Sequence, residues 1–135
     1  MAENPDLTGN ELKEKVHYSD EELKEFKELI LTKLEATKLD LAYYQDQVKQ
    51  LVENPNSKSV GSEDGVGTNE KEYLNQMASR QLQFIKHLEN ALIRIENKTY
   101  GICRVTGKLI PKDRLRAVPH ATLSIEAKER QHITQ

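Results

Sequence analysis

The sequence predicts a mainly α protein: a long antiparallel coiled-coil helical hairpin, then a small turn-rich C-terminal knob ending in a short helix. Three observations carry this reading. Two stretches of apolar residues repeat at close to 3.5-residue spacing, a segment rich in Gly and small polar residues separates them, and the periodicity stops at Thr99-Tyr100-Gly101. Composition agrees. Of 135 residues, 36% are hydrophobic, 5% aromatic and 31% charged. A compact globule uses roughly half its residues as apolar material, whereas a solvated helix needs only a narrow stripe.

Residues 1–18 mix Gly, Pro and charge without a period and read as a mobile N-terminal arm, with Val16 and Tyr18 packing at its end. Ser19-Asp20-Glu21-Glu22 then has capping-box spacing, and its acids suit the positive end of a helix dipole. Leu23, Phe26, Ile30, Leu34, Leu41, Tyr44, Val48 and Leu51 follow at steps of three and four, with Thr37 filling the gap. A helix from 20 to 52 is about 50 Å long at 1.5 Å per residue. Residues 53–69 hold Pro55, Gly61, Gly65 and Gly67 and read as the tip loop of the hairpin. The second stripe is Leu74, Met77, Gln81, Phe84, Leu88, Ala91 and Ile95, on a helix expected from 69 to 97. Two seams of similar length joined by a loop bury each other most simply as a hairpin. The expected organisation is therefore an arm (1–18), a hairpin (19–98) and a C-terminal domain (99–135).

Charge divides along the same line. Residues 99–135 carry seven Lys or Arg against three acids, or +4; the whole chain is at −2, so residues 1–98 are at −6. Gly107, Pro111 and Pro119 punctuate the knob, and Ser124 is placed to start a final helix. The single Cys excludes an internal disulfide. No apolar run reaches the length of a membrane span and the N-terminus has no signal-like run, so a cytoplasmic protein is expected. His17, His87, His120 and His132 stand at no spacing that specifies a triad or metal site. The Gly61–Gly67 segment lacks the Lys-Ser/Thr of a phosphate loop, and no recognition helix appears. The chain is expected to be neither an enzyme nor a sequence-specific DNA binder.

The knob carries a further pattern. Tyr100, Gly101, Cys103, Gly107, Ile110, Arg114, Leu115, Ala117, Pro119 and Ala121 stand in register with the finger pattern of the DksA/TraR family of bacterial transcription regulators, which this sequence resembles. The family places four Cys where this chain has Cys103, Thr106, Ser124 and Ala127. The C-terminal domain is thus zinc-finger-like, with those four as vestigial ligand positions. Hydroxyls are poor zinc donors and a methyl is none, and adding His120 gives at most two soft ligands. The expectation is no cofactor and no zinc. A Thr106–Ser124 hydrogen bond and burial of Ile102, Val105, Leu109, Ile110, Leu115, Val118, Leu123 and Ile125 would hold the knob, with Cys103 a small buried residue.

The resemblance implies a function as well. Such a hairpin enters the secondary channel of RNA polymerase and brings acidic tip residues near the active-site magnesium. Glu63 and Asp64 hold the corresponding place here, although the family's D-x-x-D-x-A motif is not reproduced. The knob docks on the polymerase, with Lys112, Arg114 and Arg116 as candidate contacts to partner carboxylates or to guanosine tetraphosphate. A monomer or weak dimer with no membrane role is expected. The rival reading is a structural or adaptor coiled coil that has no polymerase activity.

Overall fold

The computed structural model describes residues 16–53 and 66–134. Among them are four helices: α1 (Asp20–Glu53), α2 (Val66–Glu96), α3 (Lys112–Ala117) and α4 (Ile125–Thr134). The one extended pairing among the described residues is an isolated antiparallel bridge, Ile102 with Leu109. α1 packs on α2 as a helical hairpin, as the two stripes require. The expected arm up to residue 15, most of the tip loop, and Glu63 and Asp64 lie outside the described residues.

Helix ends follow local chemistry. The Ser19–Glu22 capping box forms: Glu22 N–H donates to Ser19 Oγ (3.1 Å) and Ser19 N–H to Glu22 Oε1 (2.9 Å). α1 ends at Glu53, just ahead of the Asn54-Pro55 pair, since proline disfavours helix in the residue before it. α2 begins at Val66, three residues earlier than the spacing suggested, and takes in Gly67. Glycine's penalty of about 1 kcal/mol is small beside the packing of a long amphipathic helix. α2 closes in a Schellman pattern: Thr99 N–H bonds Arg94 O (2.8 Å) and Lys98 N–H bonds Ile95 O (3.0 Å). Lys98 occupies the left-handed position (φ 63°) normally left to glycine, and its ammonium pairs with Asp20.

The described residues form two compact units. One comprises Leu31 to Glu89, where α1 and α2 meet through Leu34, Thr37, Leu74, Ala78, Ile85 and Leu88. Thr37 fills its gap in the stripe with its buried hydroxyl satisfied, donating to Lys33 O (2.7 Å). Leu41, Tyr44, Val48 and Leu51 in α1, with Met77, Gln81 and Phe84 in α2, are only half-buried. A two-helix seam has no third layer to cover its flanks.

The other unit holds, among the described residues, 16–30 and 90–134. Its core joins Leu23, Phe26 and Ile30 of α1, Ala91 and Ile95 of α2, and Tyr18, Tyr100, Ile110, Leu115 and Pro119. Of the apolar set expected for the knob, Ile110 and Leu115 are fully buried. Ile102, Leu109, Val118 and Leu123 are half-buried, while Val105 and Ile125 are exposed. Small residues make up the difference: Cys103, Ala121 and Ala127 are buried. Val16 is exposed, contrary to expectation, whereas Tyr18 packs as expected.

Candidate functional site

The knob is built around Cys103. Its sulfur accepts the backbone N–H of Thr106 and of Ser124, each at 3.5 Å, and lies 3.8 Å from Ser124 Oγ. These two amides bring the 103–106 turn and the 124–127 turn to the same atom, so the backbone of a two-turn finger is present. Burial alone would push the thiol up. The Thr106 hydroxyl and the amides of Ser124, Thr106 and Val105 outweigh it and hold the pKa down at about 6. The expected Thr106–Ser124 bond does not form, because each hydroxyl is used locally. Thr106 Oγ1 accepts from Lys108 N (3.2 Å), and Ser124 Oγ caps α4 by accepting from Ala127 N (3.1 Å).

A second anchor comes from outside the knob, where little in the residue spacing points to it. The Tyr18 ring lies against Gly101, and its hydroxyl donates to Ile110 O. Gly101 has φ +78°, and a Cβ there would stand 2.7 Å from Tyr18 Cε2. Phe26 bridges Tyr18 and Tyr100 with ring centroids 5.7 and 5.3 Å away. Tyr100 donates to Pro119 O (2.8 Å). The only sequence signal was an isolated aromatic two residues before the helix start.

The predicted contact cations are already engaged. Lys112 Nζ sits 2.6 Å from Glu22, Arg116 pairs with Asp113 at 3.3 Å, and Arg114 Nε donates to Leu123 O at 2.8 Å. Arg114 is therefore partly structural, tying α3 to the segment before α4. It also lines a pocket of about 300 Å³ with His120, Lys128 and Gln131. The other two predicted cations, Lys112 and Arg116, do not line it. Arg94 reaches the same turn, donating to His120 O (3.4 Å), and burial lowers its pKa. Lys128 was missed because its position depends on the Ser124 cap setting the phase of α4. Among the described residues no three His, Cys, Asp or Glu side chains gather as a metal site, and no helix is long and apolar enough to cross a membrane.

Residues 98–131 match the family model described as the prokaryotic dksA/traR C4-type zinc finger. The chain is 47% identical over 51 residues to the RNA polymerase-binding transcription factor DksA of Caulobacter vibrioides, covering 38% of this chain and 36% of that protein. It is 50% identical over 44 residues to YteA of Bacillus subtilis, covering 33% and 18%. These alignments thus span little more than a third of the curated relatives' own length, or less. The structure of the transcription factor DksA2 from Pseudomonas aeruginosa superposes with a TM-score of 0.74 at 25% identity, covering 83% of this chain and 84% of that one.

The finger match corrects the expectation of no cofactor: a C4-type zinc finger points to zinc binding at this segment. The chain's own donors at the four positions are one thiol (Cys103), two hydroxyls (Thr106, Ser124) and a methyl (Ala127), which do not complete a four-thiolate set. A matched finger segment, relatives sharing nearly half their residues across the aligned region, and a fold common to most of both chains agree: residues 98–131 are similar to the dksA/traR finger, and the chain shares its fold with DksA2.

Proposed function

We propose that this chain is a cytoplasmic transcription regulator that binds RNA polymerase directly and acts by position rather than by catalysis. The observation that carries the reading is the fold shared over most of the chain with a protein described as a transcription factor. The name of the Caulobacter relative supplies the partner. In this reading the α1–α2 hairpin enters the secondary channel, since a two-helix rod is thin enough for a passage that a globule could not enter. Glu63 and Asp64, between the two helices in sequence, would approach the magnesium region, where carboxylates suit the ion or its waters. The knob fixes orientation. Lys112, Arg114 and Arg116 are its proposed contacts to polymerase carboxylates or to guanosine tetraphosphate. Lys112 and Arg116 would then exchange their pairs with Glu22 and Asp113, so their net gain is modest.

Purified polymerase tests this directly. Saturable binding near micromolar concentration is expected, and its absence returns the chain to the adaptor reading. Glu63→Ala with Asp64→Ala is expected to leave affinity within about twofold and to weaken the effect on initiation about tenfold. Unchanged transcription by this variant removes the tip from the mechanism.

A further inference from the structure

On α1, Leu31, Glu35, Leu39, Tyr43 and Asp46 stack on successive turns, because residues three or four apart are neighbours. All five are exposed, Leu39 by 72% and Tyr43 by 59%. The Tyr43 ring stands edge-on to Tyr44, with centroids 5.4 Å apart. Gln50 donates to Asp46 at 2.9 Å, and no Lys or Arg stands in the stripe. An apolar centre with an acidic rim is the layout of a protein interface.

The knob carries the complement. Val105 and Ile125, exposed by 49% and 54%, stand on the two turns that meet at the Cys103 sulfur. Ile125 also lines, with Lys108, Leu109 and Arg114, a pocket of about 550 Å³, which has room for a phenol ring. Asp113 and Glu126 line it too, but each already faces an arginine: Arg116 at 3.3 Å and Arg130 at 3.4 Å. Arg104, Lys108 and Lys128 are exposed and pair with no carboxylate among the described residues. Residues 99–135 hold one further acid, Glu129, against these three cations. α2 also carries exposed cations, Arg80 and Lys86, but its exposed apolar residues Tyr73, Leu82 and Ile93 stand more than two turns apart and form no patch.

We infer that the Leu31–Asp46 stripe of one copy docks on the Val105/Ile125 face of a second copy of this chain. Tyr43 enters the pocket beside Ile125, Leu39 covers Val105, and Glu35 and Asp46 face Arg104, Lys108 and Lys128. Charge complementarity selects this pairing. Stripe on stripe sets acids against acids, and knob on knob sets cations against cations. Only the mixed contact brings opposite signs round an apolar centre. Each copy presents both patches, so a pair makes the contact twice or passes a free patch to the next copy. The inference stands apart from the polymerase reading and needs no other protein.

Sedimentation of the full chain tests this. The mean mass should rise with concentration between about 10 µM and about 1 mM, the range of a small interface. Salt at about 0.5 M should weaken association about fivefold, since the rim is ionic. Leu39→Gln with Tyr43→Gln, and separately Val105→Gln with Ile125→Gln, change only exposed side chains. Each double variant should keep the parent's circular dichroism and melting temperature, yet sediment as a monomer. Mixed in equal amounts, the two should form a pair, because one brings the intact knob face and the other the intact stripe. Lys108→Glu, a second knob variant, should weaken association about tenfold, and Leu82→Gln should change it by less than about twofold. A parent that stays monomeric throughout overturns the inference, as does a mixture that does not pair. A Val105/Ile125 variant that associates like the parent overturns it too, since the contact is then stripe on stripe. If the parent is monomeric and the Leu39/Tyr43 variant loses affinity for purified RNA polymerase, the stripe serves a different protein and the inference falls.

Discussion

The two units of this protein bury their apolar residues by different means. The unit that contains the knob encloses Tyr100, Ile110, Leu115 and Cys103 almost completely, and ties them with side-chain bonds to distant backbone: Tyr18 to Ile110, Tyr100 to Pro119, Arg114 to Leu123. The Leu31–Glu89 unit is held by a repeating stripe in which many contributors stay half-buried, and side-chain bonds such as Thr37 to Lys33 and Gln50 to Asp46 span a single helical turn. The difference shows what a small domain does when it is short of apolar material. A stripe tolerates single losses because every turn repeats the same contact. A small closed core does not, because each residue touches several others and has no substitute.

That contrast can be broken most sharply at Gly101. Gly101→Ala forces a side chain onto φ +78° and into the Tyr18 ring. It should cost the knob about 2–4 kcal/mol, read by urea unfolding, with the helicity of the Leu31–Glu89 unit retained. Next in size is a matched pair of truncations. Leu115→Ala should cost about 3 kcal/mol and half-buried Leu41→Ala about 1 kcal/mol, and equal losses would abolish the difference between the two units.

A smaller effect is expected at Tyr18. Burial, and then the nearby Glu22 carboxylate, raise its pKa, and burial also raises Tyr100 well above the ordinary phenol value. Unfolded phenols ionise near pH 10, so above that the unfolded chain binds fewer protons than the folded one. The stabilisation is present below pH 10 and is lost as the pH rises further. Tyr18→Phe should lower stability by about 1–2 kcal/mol at neutral pH and flatten the alkaline loss, both measurable as melting temperature against pH. Smallest is Ser19→Ala, which removes the capping box and should cost about 1 kcal/mol.

Much of the fold was legible because its signals are local. The capping box at Ser19–Glu22, the 3.5-residue stripes and the helix start at Ser124 each depend on residues within a few turns of one another. The candidate site was legible only in outline. The finger pattern placed Cys103, Thr106, Ser124 and Ala127 together, and the turns that carry them do meet at the Cys103 sulfur. Arg114 was picked out from the pattern, but its bond to Leu123 O was not visible in it. The no-zinc expectation is corrected for a related reason: it rests on four single positions, whereas the match to a C4-type zinc finger extends over residues 98–131 as a whole.

What the sequence determined by itself is therefore periodic or local: two amphipathic helices, their antiparallel pairing, and a knob where the period ends. Only the tertiary structure decided which aromatic anchors the knob, because Tyr18 and Ile110 are 92 residues apart and nothing in the spacing links them. It also decided which cations face a pocket and which are consumed, since Lys112 and Glu22 meet only after folding. The physical reason is common to both cases. Hydrogen-bond periodicity along a helix is written in neighbouring residues, whereas the partners of buried hydroxyls and surface charges are chosen by whatever folding brings within about 3 Å.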